Sequence, residues 1–117
     1  MNIDGKSKFV GIIGSPIEHT LSPAMHNAAF TKLKLNWVYA PFMVNPENLA
    51  KAILGIKALG FVGLNITIPH KESAMEFLDE FDEDARKVGA VNTVLNKNGK
   101  LIGYNTDCYG FVTALQK

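Results

Sequence analysis

Asn65-Ile66-Thr67-Ile68-Pro69-His70-Lys71 is the stretch on which the reading of this chain turns. It follows the apolar run Gly60-Phe61-Val62-Gly63-Leu64, which has the composition of a buried strand. Side chains alternate along a strand, so Asn65 and Thr67 share one face and Ile66 and Ile68 the other. Pro69 has no N–H to give to a sheet ladder and ends the strand. An amide, a hydroxyl and a lysine therefore converge just past a strand's carboxyl end, where open α/β sheets bind their ligands.

Upstream of this stretch, Phe9 to Ile13 is a short apolar run that stops at Gly14-Ser15-Pro16, a strand followed by a loop. Ser22-Pro23 fits an N-cap with proline at the first helical position, and Met25, Ala28, Ala29 and Leu33 recur at helical spacing over Pro23 to Leu33. Asn36 to Val44 has strand composition, with Pro41 marking an edge or a break. Asn45-Pro46-Glu47 starts a second helix. Leu49, Ala52, Ile53 and Ile56 form its buried stripe, and Gly60 stops it.

Downstream, Lys71 to about Val88 reads as an acidic helix, broken near Phe81-Asp82. Val91 to Leu95 and Lys100 to Tyr104 flank Asn98-Gly99, the strongest short hairpin signal. Thr106 or Asp107 then caps a closing helix with Phe111 and Leu115 on its inner face. The order β-α-β-α-β with a late hairpin predicts one α/β domain over residues 1–117. It is a three-layer α/β/α sandwich whose mixed, mostly parallel sheet carries an antiparallel hairpin.

The bulk numbers narrow the function classes. The chain has 117 residues, 47% hydrophobic and 20% charged, with a net charge of +1. That is an ordinary globular balance, and it offers neither nucleic acid nor an anionic membrane a basic surface. A single cysteine, Cys108, excludes an internal disulfide. No apolar run approaches the roughly 20 residues of a membrane span, and the first residues carry no apolar signal core, so the cytoplasm is the expected location.

Four groups of residues can carry chemistry. Lys71 and Asp107 both stand at strand ends. A desolvated lysine titrates near neutrality and exchanges protons, whereas a carboxylate beside it keeps the ammonium charged and oriented; the sequence leaves both open. An arbitrary lysine and aspartate are usually solvated, and only their placement argues otherwise. Thr20 and Ser22 put two hydroxyls before a helix N-terminus, a setting that suits a carboxylate, although Ser22 serves equally well as a plain cap. Asn92 and Asp107 lie beside the hairpin and can bond a polyhydroxylated ligand, though turn chemistry explains each more simply. His19, His26 and His70 match no zinc spacing and are expected in core or surface roles, and no metal is expected. Trp37 and Tyr39 are expected to pack within their strand, and Cys108 within the last helix.

Taken together, these segments resemble one family. Gly14-Ser15-Pro16-Ile17-Glu18-His19-Thr20-Leu21-Ser22-Pro23, with His26-Asn27-Ala28-Ala29-Phe30, is similar to the opening of shikimate dehydrogenases. The Asn65–Lys71 stretch resembles that family's Asn-x-Thr-x-Pro-x-Lys motif. Gly89-Ala90-Val91-Asn92-Thr93 and Gly103-Tyr104-Asn105-Thr106-Asp107 resemble its two later motifs in the same order. The resemblance implies the amino-acid-dehydrogenase-like N-terminal domain. It also implies reduction of 3-dehydroshikimate to shikimate with NADPH.

By the same resemblance Lys71 is the catalytic lysine and Asp107 its partner. Thr20 and Ser22 bind the substrate carboxylate, and Asn65, Thr67 and Asn92 join Lys71 and Asp107 around the ring hydroxyls. Glu83 falls where some members approach the cofactor. Thr20 stands where the family often has serine, which keeps the hydroxyl, adds a methyl group and blurs the choice between shikimate and quinate. The partner implied is shikimate or 3-dehydroshikimate, and a homodimer is admitted.

The family's Rossmann domain, with its glycine-rich loop, has no counterpart in these 117 residues. NADP would bind through that domain, and this chain alone is expected to catalyse no redox step. A last helix that stops at Lys117 without a cap reads as one that continues in a longer chain. Two other readings stand behind the first. One is a stand-alone shikimate- or quinate-binding module, or, within the same family, a quinate dehydrogenase. The other is a methylene-tetrahydrofolate dehydrogenase, a class that lacks the Thr20/Ser22 pair.

Overall fold

The computed structural model describes residues 2–106, so the expectations for Asp107, Cys108 and the body of the closing helix lie outside the described residues. Six strands form one sheet in the order β2-β1-β3-β5-β6-β4. These are β1 (Lys8–Gly14), β2 (Trp37–Met43), β3 (Gly63–Ile66), β4 (Glu80–Phe81), β5 (Thr93–Lys97) and β6 (Lys100–Tyr104). Three α-helices accompany them: α1 (Ser22–Lys32), α2 (Leu49–Ala58) and α3 (Glu83–Val88). Strand pairs β1-β2, β1-β3 and β4-β6 are parallel, while β3-β5 and β5-β6 are antiparallel, so the sheet is mixed as expected. No helix among the described residues is long and apolar enough to cross a membrane.

The period-2 alternation of β1 builds two cores on opposite faces of the sheet. Val10 and Ile12 pack with Ile17, Phe30 and Tyr39 on the α1 face. Phe9 and Ile13 pack with Leu49, Ile53, Ile56, Leu64 and Ile66 on the α2 face. The stripe Leu49/Ile53/Ile56 of α2 is buried as its spacing predicts. Pro41 lies on β2, an edge strand, where a missing N–H is tolerated. Asn98 and Gly99 both have positive φ, 55° and 87°, and close the predicted β5-β6 hairpin as a two-residue turn.

Three local expectations are corrected. The stripe of α1 is not Met25, Ala28, Ala29 and Leu33; Met25 and Leu33 are 65% and 59% exposed. The inward face is instead Pro23, His26, Asn27 and Phe30, at spacing i, i+3, i+4, i+7. Two of those four are polar, so apolar periodicity does not reveal them.

The strand through Asn65 is shorter than Gly60–Ile68. β3 covers only Gly63–Ile66, although Thr67 still donates its N–H to the Ile13 carbonyl at 3.0 Å.

Lys71 to Val88 is not one interrupted helix. It holds a 3-10 turn, Ser73–Phe77, the two-residue strand β4, and α3. The acidic residues explain why. The Leu101 N–H donates to Asp79 Oδ2 at 2.7 Å, Glu80 pairs with Lys100 at 2.7 Å, and Asp82 caps α3 by accepting from the Ala85 N–H at 2.8 Å. These carboxylates bind the β6 edge and a helix start rather than forming a solvated helical face.

Candidate functional site

The topology brings the predicted residues to one edge of the sheet. β1, β2 and β3 run parallel, so the loops after Gly14, Met43 and Ile66 leave at the same edge. β5 is antiparallel and starts there, and β6 ends there. The segments around Thr20, Thr67, Asn92 and Thr106 therefore meet on this rim, where open α/β sheets hold ligands.

At the first segment, Ser22 is not the N-cap of α1. The helix begins at Ser22 itself, Leu21 is the cap residue, and no side chain bonds in the capping position. Thr20 Oγ1 accepts the Ser22 N–H at 3.3 Å, which fixes the two hydroxyl residues relative to each other. The Ser22 side chain acts on the Tyr39 phenol in the sense that lowers its pKa. Thr20 also shares a recess of about 230 Å³ with Thr67, walled by Ile12, Ile17 and Ile68.

The opening stretch of sequence divides as its alternation predicts. Leu64 and Ile66 enter the α2 core, and Asn65 faces the α1 side. There Asn65 Oδ1 accepts from the Tyr39 hydroxyl at 2.7 Å, and Asn65 Nδ2 donates to Thr93 Oγ1 at 3.4 Å. Beyond Ile68, His70 is buried at 1% exposure, and its Nε2 bonds the Val44 carbonyl. Lys71 itself is exposed, and its carbonyl accepts the Val91 N–H at 2.8 Å. The loop is thus pinned on both sides of the lysine's Cα, while the lysine as a whole is exposed.

Asn92 is committed to its own chain. Its Oδ1 accepts from the Thr106 N–H, the Thr106 hydroxyl and the Thr93 hydroxyl, each at 3.0 Å, and its Nδ2 donates to the Thr106 carbonyl. Asn105 Nδ2 adds a bond to the Ala90 carbonyl at 3.1 Å. Segment 90–92 is therefore one strut with two loads. Val91 holds the backbone at Lys71, and Asn92 clamps the residue before Asp107. Glu83 stands apart on the exposed first turn of α3, paired with Lys87 at 3.4 Å.

Tyr39, His26 and Asn27 are the residues sequence reasoning undervalues. Tyr39 does pack in the α1 core at 2% exposure, but its hydroxyl also donates to Asn65 Oδ1. His26 stacks on its ring at a centroid distance of 4.4 Å and an interplanar angle of 15°. Asn27 grips its backbone twice, donating from Nδ2 to the Tyr39 carbonyl at 2.9 Å and accepting the Tyr39 N–H at 2.8 Å. The signal that finds them is the helical spacing of Pro23, His26, Asn27 and Phe30 read without regard to polarity. Burial raises the Tyr39 phenol above its ordinary value, with the Ser22 side chain opposing, so it stays protonated and remains a donor. Burial lowers His26 below its ordinary value.

The result is a chain of hydrogen bonds, Tyr39–Asn65–Thr93–Asn92–Thr106, running beneath a rim that carries Thr20, Thr67 and Lys71. Such a rim defines the molecule as an α/β domain with polar side chains and a small recess gathered at its strand ends.

The comparisons narrow that class. The family described as shikimate dehydrogenase substrate binding domain matches residues 12–94, and the chain belongs to it. A shikimate dehydrogenase (NADP(+)) of Desulforamulus reducens is 58% identical over 113 residues, 97% of this chain and 39% of that protein. One from Methanopyrus kandleri is 56% identical over 117 residues, 100% of this chain and 40% of that protein. A crystal structure of shikimate 5-dehydrogenase from Listeria monocytogenes, in complex with shikimate and NAD, superposes with a TM-score of 0.90. It is 41% identical over 99% of this chain and 40% of its own. The chain spans about two fifths of the length of these relatives.

The named cofactor of those relatives tests the donor set here. A dinucleotide's phosphates need backbone N–H groups or cations. The exposed first turn of α3 instead offers Asp82, Glu83 and Asp84. That acidic turn repels phosphate, so Glu83 does not belong to a phosphate cradle within the described residues.

Proposed function

We propose that this chain is the substrate-binding and proton-handling part of an NADP-dependent shikimate dehydrogenase, which interconverts 3-dehydroshikimate and shikimate. It would work together with a nicotinamide-binding Rossmann domain. The observation that carries the reading is the strut 90–92, which holds the backbone at Lys71 and at the residue before Asp107 from adjacent positions. A lysine whose backbone is fixed, and an acid that follows a clamped residue in the sequence, are the minimum for moving a proton at a defined atom.

The roles follow from chemistry. Thr20 and Ser22 hydroxyls donate to the substrate carboxylate. Asn65, Thr67 and Asn92 bond the ring hydroxyls, Asn92 through the N–H that its clamp on Thr106 leaves over. The Lys71 ammonium gives its proton to the carbonyl oxygen as that oxygen becomes a hydroxyl, and takes it back in the reverse direction. Asp107 keeps the ammonium charged and aimed. The nicotinamide supplies or accepts the hydride; no group on this chain can. The location is cytoplasmic, the partner a small hydroxylated acid, and a homodimer is compatible with the edge strand β2.

Assay of the full-length protein with shikimate and NADP tests this reading, alongside calorimetric titration of shikimate into the 117-residue chain. Turnover by the full-length protein, with weak binding and no turnover by the chain alone, is expected. A full-length protein that turns over quinate and ignores shikimate would replace the substrate, and one that turns over neither would overturn the reading.

A further inference from the structure

We propose that Tyr39 is a positioning residue for substrate binding: its hydroxyl holds the hydroxyl-binding Asn65 and sets which end of the Asn65 amide faces the ligand. The inference rests on the function proposed above. It concerns a residue that stands mid-strand on β2 and below the rim.

Three observations carry it. The first is that the Tyr39 hydroxyl reaches across β1 to give its one proton to Asn65 Oδ1 at 2.7 Å. An amide carries an acceptor at one end and two N–H donors at the other. With Oδ1 held by Tyr39, Asn65 is locked with Nδ2 toward Thr93, and its second N–H is left for a ligand oxygen. The second is that the Ser22 side chain acts on the same phenol, which sets the carboxylate-binding residue beside the one that orients Asn65. The third is that Tyr39 cannot drift. Asn27 holds its N–H and C=O, His26 stacks on its ring, and the ring is nearly fully buried.

A residue that only filled space would need none of these polar partners, and phenylalanine would serve as well. Removing the hydroxyl leaves Asn65 Oδ1 without its donor and frees the amide to turn its acceptor end toward the ligand. Substrate then binds less well in the ground state and the transition state alike, which raises KM and leaves kcat alone. No group that exchanges a proton with the substrate is touched.

The test is steady-state kinetics of the full-length protein and its Tyr39→Phe variant. Tyr39→Phe should raise KM for shikimate about tenfold, which is about 1.4 kcal/mol. The kcat should stay within about twofold, with KM for NADP and the pH profile unchanged. In an Asn65→Ala background the same change should add nothing, because the amide it orients is gone. An unchanged KM for shikimate, a fall in kcat alone, or full additivity in the double variant would each overturn the inference. Should Tyr39→Phe not fold, nuclear magnetic resonance on the unmutated protein decides. Shikimate should slow exchange of the Tyr39 hydroxyl proton, and an exchange rate blind to shikimate would sink the idea. A parent protein that neither turns over nor binds shikimate removes the proposed function and this inference with it. A fully active parent with a normal Tyr39→Phe variant removes the inference alone.

Discussion

A Cβ placed on Gly14 would stand 2.3 Å from Thr67 Cγ2 and 3.0 Å from the Ile68 carbonyl oxygen. The end of β1 and the Asn65–Lys71 loop therefore touch through a glycine that has no room for a side chain. Threonine is stiff at χ1, so the methyl cannot swing away cheaply. Gly14→Ala should cost about 1–3 kcal/mol in urea unfolding and should raise KM for shikimate by displacing the Thr67 hydroxyl. Thr67→Ser removes the offending methyl and keeps the hydroxyl. The double variant should recover most of the lost stability, and failure to recover would place the strain elsewhere.

Asn27 supplies a second mechanical link. Its side-chain amide pairs with both backbone groups of Tyr39 on the open edge of β2, as a neighbouring strand would. Asn27→Ala removes both of these bonds from a partly buried place. The expected loss is about 1–3 kcal/mol of stability, with faster hydrogen exchange at the Tyr39 amide. An Asn27→Ala protein as stable as its parent, with the same exchange rate, would show that the clasp adds nothing.

These two links also mark what the sequence discloses and what it hides. The β3 alternation, the α2 stripe and the Asn98-Gly99 turn are local signals, and each appears where expected. The candidate rim was legible because Asn65, Thr67 and Lys71 lie in one short stretch. The failures are tertiary. β4 exists because Asp79 and Glu80 find β6 and Lys100, partners about twenty residues away that outweigh the helical propensity of an acidic segment. Ser22 has the credentials of a cap but stands inside the helix, whose start has no side-chain capping bond. Tyr39 reads as packing because nothing local shows that its hydroxyl reaches a residue 26 positions away.

Lys71 is exposed, yet its backbone is held by the Val91 N–H and by the buried His70 beside it. A lysine whose backbone is fixed while its side chain is exposed can serve a reaction without serving the fold. Lys71→Ala in the full-length protein should lower kcat by about 10²–10⁴, the usual range for a lost general acid–base group. KM for shikimate should rise less than about tenfold, and the urea midpoint should stay within error of the parent. Unchanged turnover would remove the proton-transfer role.

His26 gives the fold a pH dependence whose sign can be worked out. Its ordinary pKa is 6.5, and burial lowers it in the folded chain, where its ring lies 4.4 Å from that of Tyr39 and 6.3 Å from that of Phe30. The unfolded chain therefore binds more protons just below the ordinary value, and stability there rises with pH. His26's contribution is fully present above pH 6.5 and is lost as pH falls through the lowered folded value. Urea unfolding at about pH 7.5 and about pH 5.5 should show the parent weakening at the lower pH. His26→Phe keeps an aromatic ring against Tyr39 but cannot be protonated, so its loss over the same interval should be smaller. His19 and His70 are present in both proteins and cancel in the comparison. Equal losses in parent and variant would mean that the slope comes from other groups, and that the stack on Tyr39 holds as well with a charged ring as with a neutral one.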